Sequence, residues 1–152
     1  AEATERLARE ALRLSGLRGV VSGLAGQGEG VEEDGRVYRI GRAPHGWLFP
    51  RVRLVVQHGG VGTTTAALRA GKPMVAAPFN YDQPFWAAQI ERLGVGVATS
   101  GRQRMGAVEL AGAMRRCLAD ERMAARAAAA GERVRAEDGV GTAVLMIEQK
   151  MQ

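Results

Sequence analysis

Residues 53–78, RLVVQHGGVGTTTAALRAGKPMVAAP, constrain the fold of this 152-residue chain more than any other stretch. An apolar run ends in a His and a Gly-Gly pair. A short helix-compatible segment follows, closed by Gly71 with Pro73 just beyond, and a second apolar run begins at once. Apolar run, glycine turn, helix and apolar run make a βαβ unit. Strands that are apolar along their whole length belong to a parallel sheet covered on both faces.

The alternation continues in both directions. Residues 2–16 carry Leu7, Ala11 and Leu14 at helical spacing, with Gly16 as the stop. Residues 19–24 and 36–40 read as strands around a Gly-rich polar loop at 25–35. HGWLFPRV is a tight turn or a single helical turn ending near Pro50. Strands are expected at 53–57, 73–78 and 94–99, and helices at 63–70, 82–93, 106–119, 120–135 and 138–149. The prediction is one α/β domain over residues 1–152, with a Rossmann-like parallel sheet and helices on both faces.

Charge and cysteine content narrow the function. The net charge is +5, and nineteen of the twenty-one basic residues are Arg. They are scattered, with no basic stripe interleaved with aromatics, so they read as solvated residues on helix faces and not as a nucleic-acid surface. No run approaches the ~20 apolar residues of a membrane span, and residues 1–18 show no signal-peptide pattern. Cys117 is alone, without a disulfide partner or metal-ligand companions. A reduced, cytoplasmic setting is expected, with no metal site.

Ligands of open α/β sheets bind beyond the carboxyl ends of strands, at helix N-termini. Gly59, Gly60 and Gly62 would let a phosphate approach the backbone, and Thr63 to Thr65 offer hydroxyls that can also cap the helix. His58 stands at the strand end, within reach of a phosphate oxygen. The pattern is not a P-loop, because Lys72 lies at the far end of the helix; by itself it also fits a plain tight turn. The next βα connection, PFNYDQPFW, would reach the same sheet edge. There Asp82 and Gln83 could accept from and donate to vicinal sugar hydroxyls. Asp82 equally fits a helix N-cap, and the two roles are compatible.

The run HGGVGTTTAALRAGKPMVAAPFNYDQPFWAAQIERLGVG resembles the donor-binding signature of GT-B family 1 glycosyltransferases, especially sterol glucosyltransferases and antibiotic glycosyltransferases. PHGWLFPRV is similar to the run preceding that signature. The resemblance is dense over residues 44–96 and holds in layout elsewhere. It implies that His58 binds the donor diphosphate with Gly60, Gly62 and Thr63, that Asp82 and Gln83 hold the sugar, and that Arg42, Pro44 and His45 line the base pocket. It further implies inverting transfer of a hexose from UDP-glucose, or secondly a TDP-sugar, to a lipophilic acceptor such as a sterol or polyketide. No cofactor and no tightly bound metal are implied.

The departures fall mainly on the base and ribose side. Gln57 stands where many relatives have a first His, Arg42 where the plant branch has a stacking Trp, and Ala66 where that branch has an acidic ribose ligand. The resemblance also implies a first strand ahead of residue 1, and a catalytic base and acceptor pocket on an N-terminal domain. The 152 residues alone are therefore expected to bind donor without turnover. The alternatives are a non-catalytic nucleotide-sugar-binding module, and an epimerase or GlcNAc transferase on a similar fold. Trp47, Phe49, Phe85 and Trp86 read as packing residues.

Overall fold

The computed structural model describes residues 2–22, 30–31 and 35–151. Helix α1 (Glu2–Ser15) leads into strand β1 (Gly19–Ser22), followed by β2 (Gly30–Val31) and β3 (Val37–Ile40). A one-turn helix α2 (His45–Leu48) runs into a 3-10 turn at Phe49–Arg51. Then come β4 (Val55–Gln57), α3 (Val61–Arg69), β5 (Met74–Ala76), α4 (Gln83–Arg92), β6 (Gly96–Ala98), α5 (Ala107–Ala119), α6 (Glu121–Ala136) and α7 (Gly139–Lys150). Most of the expected loop at 25–35 lies outside the described residues; the part within them includes β2, which pairs antiparallel with β3.

The expected parallel pairing is present in two sheets. β1 pairs parallel with β3 in a sheet ordered β1-β3-β2, and β4, β5 and β6 form an all-parallel sheet in that order. β1 and β4 therefore each have one strand neighbour, and no ladder joins them among the described residues. A shared apolar layer unites the two sheets instead. Val37 of the first sheet lies in one buried cluster with Val75 and Val97 of the second, covered by Ala11 and Leu12 of α1 and Leu110 and Met114 of α5.

Side chains on alternate strand positions feed the opposite face. Val55, Met74 and Ala76 join Ala67 of α3, Ala87 and Ile90 of α4 and Ala127 of α6 in a second buried cluster. All three residues of β5 are buried, as a central strand covered on both sides requires. Helices thus flank the parallel sheets on both faces. α7 has no buried residue, and Val144, Leu145, Met146 and Ile147 stand exposed on it.

The arginines on helix faces are mostly exposed, as the sequence suggested, and several also reach helix C-termini. Arg115 donates to the Leu14 carbonyl at the end of α1 (2.9 Å), Arg126 to Gly94 just past α4 (2.7 Å) and Arg135 to Arg69 at the end of α3 (2.5 Å). A cation supplied there satisfies an orphan carbonyl and opposes the negative end of the helix dipole.

Candidate functional site

The glycine turn and the Asp-Gln loop leave adjacent parallel strands, β4 and β5, and meet at one sheet edge. Gly59 takes φ +93, and a β-carbon there would lie 2.9 Å from the Gln83 carbonyl oxygen and 3.3 Å from its Cβ. Only glycine suits that conformation and that approach. The two loops expected from sequence to share a ligand are therefore in contact.

Gln57 fixes the turn from below. It is buried at the end of β4; its Oε1 accepts the Gly59 N–H (2.5 Å) and its Nε2 donates to Thr64 Oγ1 (3.1 Å). This corrects the view of the three threonines as caps. Thr64 turns inward to Gln57, and the N-cap of α3 is Gly60, with no side-chain cap bond. α3 also starts two residues earlier than expected. Its first internal bond runs from Thr64 N–H to the Gly60 carbonyl (2.9 Å). The N–H groups of Val61, Gly62 and Thr63 precede that bond and have no acceptor within the helix. They leave the helix start uncapped, with the positive pole of the helix dipole behind it, a geometry that favours an anion.

His58 is exposed, and its ring folds over this end: a β-carbon on Gly60 would lie 2.5 Å from His58 Nε2. His58 has no hydrogen-bond partner among the described residues, so both ring nitrogens remain available. Gly62 is exposed and Thr63 half-buried in the same first turn.

In the second loop, Gln83 Oε1 accepts the Phe79 N–H at 2.8 Å and the Asn80 N–H at 3.4 Å. The carboxamide oxygen is thereby spent on loop shape, and the NH2 group is left to donate. Asp82 occupies the N-cap position of α4 without making a cap bond; its Oδ2 accepts the Trp86 indole N–H (2.9 Å). Oδ1 takes no hydrogen bond among the described residues. The pair can therefore present one acceptor and one donor outward. Arg102, on the next βα connection, donates its backbone N–H to Pro78 (2.9 Å) and sets its guanidinium 5.9 Å from the Phe79 ring centre.

Of the remaining expected residues, Pro44 is the N-cap of α2, and its carbonyl accepts the N–H groups of Trp47 and Leu48. His45 stacks on buried Phe49, with centroids 4.4 Å apart and planes 11° apart, so one ring face is covered. Arg42 is exposed ahead of them. α2 packs against α3, which sets this group beside the helix carrying the glycine turn. Phe49 is a packing residue as expected. Trp47 and Phe85 are not: both are more than half exposed, Trp47 under the Arg51 guanidinium at 4.5 Å and Phe85 edge-on to Trp86 at 5.3 Å. The sequence showed Gln57 as a polar residue ending an apolar strand, in the place of a first His, and carried no signal for its bonds to Gly59 and Thr64.

Among the described residues no group of three or more His, Cys, Asp or Glu could hold a metal ion. No helix among them is long and apolar enough to cross a membrane.

The family model for the C-terminal domain of erythromycin biosynthesis protein CIII-like proteins matches residues 22–141. The chain belongs to that family. Relatives of this CIII-like domain include a sterol 3-beta-glucosyltransferase of Eremothecium gossypii, 44% identical over 115 residues, covering 76% of this chain and 9% of the relative. An O-mycaminosyltylonolide 6-deoxyallosyltransferase of Streptomyces fradiae is also 44% identical over 115 residues, covering 76% and 27%. The CIII-like domain thus spans well under half the length of the curated relatives it matches. Its fold matches a glycosyltransferase of kitacinnamycin with a TM-score of 0.81 at 23% identity, over 95% of this chain and 39% of that one. It also matches the glycosyltransferase VinC, solved in complex with DTDP, with a TM-score of 0.66 at 26% identity over 75% and 30% of the two chains. In sequence and fold the CIII-like domain matches part of glycosyltransferases of GT-B type.

Proposed function

We propose that this domain binds the nucleotide-sugar donor of an inverting glycosyltransferase, with UDP-glucose as the donor and a lipophilic alcohol such as a sterol or polyketide as the acceptor. The observation that carries the reading is the uncapped start of α3, lying against the loop that exposes Asp82 Oδ1 and the Gln83 amide. A diphosphate suits the three free N–H groups and His58. The attached sugar then meets a carboxylate and an amide one βα unit away. Pro44, His45 and Arg42 take the base side, and no metal or cofactor is required by this arrangement. The names of relatives that act on sterols and on a tylonolide support the acceptor class.

Transfer also needs a base within about 2.6–3.2 Å of the acceptor hydroxyl. The only histidines, His45 and His58, are taken by the donor side in this reading. The base is therefore assigned to the part of the relatives' length that this chain does not span.

The test is calorimetric titration with UDP, TDP, UDP-glucose and UDP-GlcNAc, beside a product assay with a sterol. Expected are binding of UDP and UDP-glucose and no product. Failure of the folded chain to bind any nucleoside diphosphate at millimolar concentration would sink the donor site. Turnover by these 152 residues would sink the assignment of the base.

A further inference from the structure

We propose that the cavity at the amino ends of β4 and β5 is a second binding site, in which Arg53 and Lys72 hold a small phosphate-bearing ligand. His58 and the Asp82 loop follow the carboxyl ends of the same two strands, so this site is separate from the donor site.

The cavity measures about 190 Å³. That is far above the ~10–15 Å³ that one water needs. Arg53 stands two residues before β4, and Lys72 two residues before β5. The strands are parallel neighbours, with Val55 beside Met74, so both cations leave adjacent strand starts, and both line the cavity. Pro73, Cys117 and Leu118 of α5 and Ala124 of α6 supply an apolar wall. The lining contains no carboxylate and no aromatic ring.

Neither cation is used by the fold. Arg115, Arg126 and Arg135 each donate to a carbonyl at a helix end. Arg53 and Lys72 also stand near helix ends, those of α5 and α3, yet their side chains make no hydrogen bond or ion pair among the described residues. Asp120, at the junction of α5 and α6, is engaged elsewhere: Oδ1 accepts the Met123 N–H (2.9 Å) and Oδ2 lies 3.7 Å from Arg126. Two like charges beside one cavity repel, and an anion bound to both removes that cost.

The cavity wall carries the same sign of potential. Burial raises the Cys117 thiol, but of the charges acting on it Arg116, which favours an anion there, outweighs Asp120. Two full positive charges match a dianion, and a guanidinium beside an ammonium suits phosphate oxygens. With no ring in the lining to stack a base, the ligand class is phosphate or a small aliphatic phosphomonoester, not a nucleotide.

The experiment titrates the wild-type chain calorimetrically with inorganic phosphate and with glycerol 3-phosphate, at constant ionic strength and in saturating UDP, which fills the donor site. Arg53→Gln, Lys72→Gln and Lys72→Arg are compared with Arg133→Gln, which removes the same charge from an exposed position outside the cavity. Wild type should bind one equivalent of phosphate. Arg53→Gln and Lys72→Gln should bind it at least fivefold more weakly, Lys72→Arg within threefold and Arg133→Gln within twofold of wild type. UDP affinity, and melting temperature in phosphate-free buffer, should match wild type in all four. Tighter binding of glycerol 3-phosphate than of phosphate assigns the site to phosphomonoesters, and the reverse assigns it to the free ion. The site is overturned if neither probe binds at tens of millimolar, or if Arg133→Gln loses as much as Lys72→Gln, an effect of net charge alone. Loss of phosphate binding together with UDP binding and melting temperature would make the two cations structural and also overturn it. A chain that binds phosphate in this pattern but not UDP refutes the donor site alone, so the two readings fail separately.

Discussion

The indole N–H of Trp86 donates to Asp82 Oδ2 across one turn of α4, at 2.9 Å. That bond orients the carboxylate and leaves Oδ1 without a hydrogen bond among the described residues. Asp82→Ala should weaken UDP-glucose binding about ten- to a hundredfold, since a hydrogen bond to a charged group is worth ~1.5–3 kcal/mol, while UDP binding is unchanged. Trp86→Phe should give a smaller loss with the same selectivity. Equal losses for the two ligands would show that Asp82 acts through the fold.

The exposed His58 ring lies over the glycine turn and makes no hydrogen bond among the described residues. His58→Ala should lower UDP and UDP-glucose affinity alike by about ten- to a hundredfold, again the size of a charge-assisted hydrogen bond. The melting temperature should hold, because an exposed ring without a partner contributes little to stability. A variant that melts early but binds normally would count against the diphosphate role.

Gln57 is buried and bonded at both ends of its amide. Gln57→Leu leaves the Gly59 N–H and the Thr64 hydroxyl without their partners, at a cost of about 1–3 kcal/mol. Urea denaturation should show that loss, and UDP affinity should fall in the same variant because the turn is no longer tied to α3. Unchanged stability would mean that the turn is held by its own backbone.

Gly59→Ala places a methyl group 2.9 Å from the Gln83 carbonyl in a backbone conformation that alanine avoids. UDP and UDP-glucose binding should both drop, since the two loops are forced apart. Gly62→Ala meets no atom within 4 Å, and its fold should be unaffected. Comparing the two by titration and melting separates crowding between the loops from the loss of a glycine in general.

Burial pushes the Cys117 thiol up to about 11. It lies under β5, with Sγ near the Met74 carbonyl at 3.5 Å. Folding therefore favours the protonated thiol. Its contribution is complete below the ordinary value of 9.0 and is lost as pH climbs from there through about 11. At pH 8 iodoacetamide should label Cys117 only as fast as the domain opens. The fall in urea midpoint between pH 8 and 10.5 should be shallower in Cys117→Ala.

The order of elements around the site was legible because its signals are local. Gly16, Gly71 and Gly94 end α1, α3 and α4 where a sequence reading stops them, each with N–H groups turned back on the last carbonyls. The meeting of the two loops followed from adjacent parallel strands. What could not be read is fixed by contacts across the sequence. No pattern shows that Gln57 bonds Thr64 or that Gln83 spends its oxygen on Phe79. The exposure of Phe85 depends on what covers α4. The division into two sheets was equally hidden, since strand periodicity says nothing of which edge a strand offers to which neighbour.

The two apolar layers differ in how far apart their parts lie along the polypeptide. The layer beneath the site is assembled mostly from consecutive pieces, β4 through β6, each beside the next, with α6 added from further along. The opposite layer brings together α1 and α5, and the Arg115–Leu14 bond that ties them closes a loop of 101 residues. Closing such a loop is entropically slow, whereas neighbouring pieces collapse early. On a ribosome, α1 must therefore wait until most of the residues after it have emerged, and the ligand-binding crevice takes shape before α1 finds a seat.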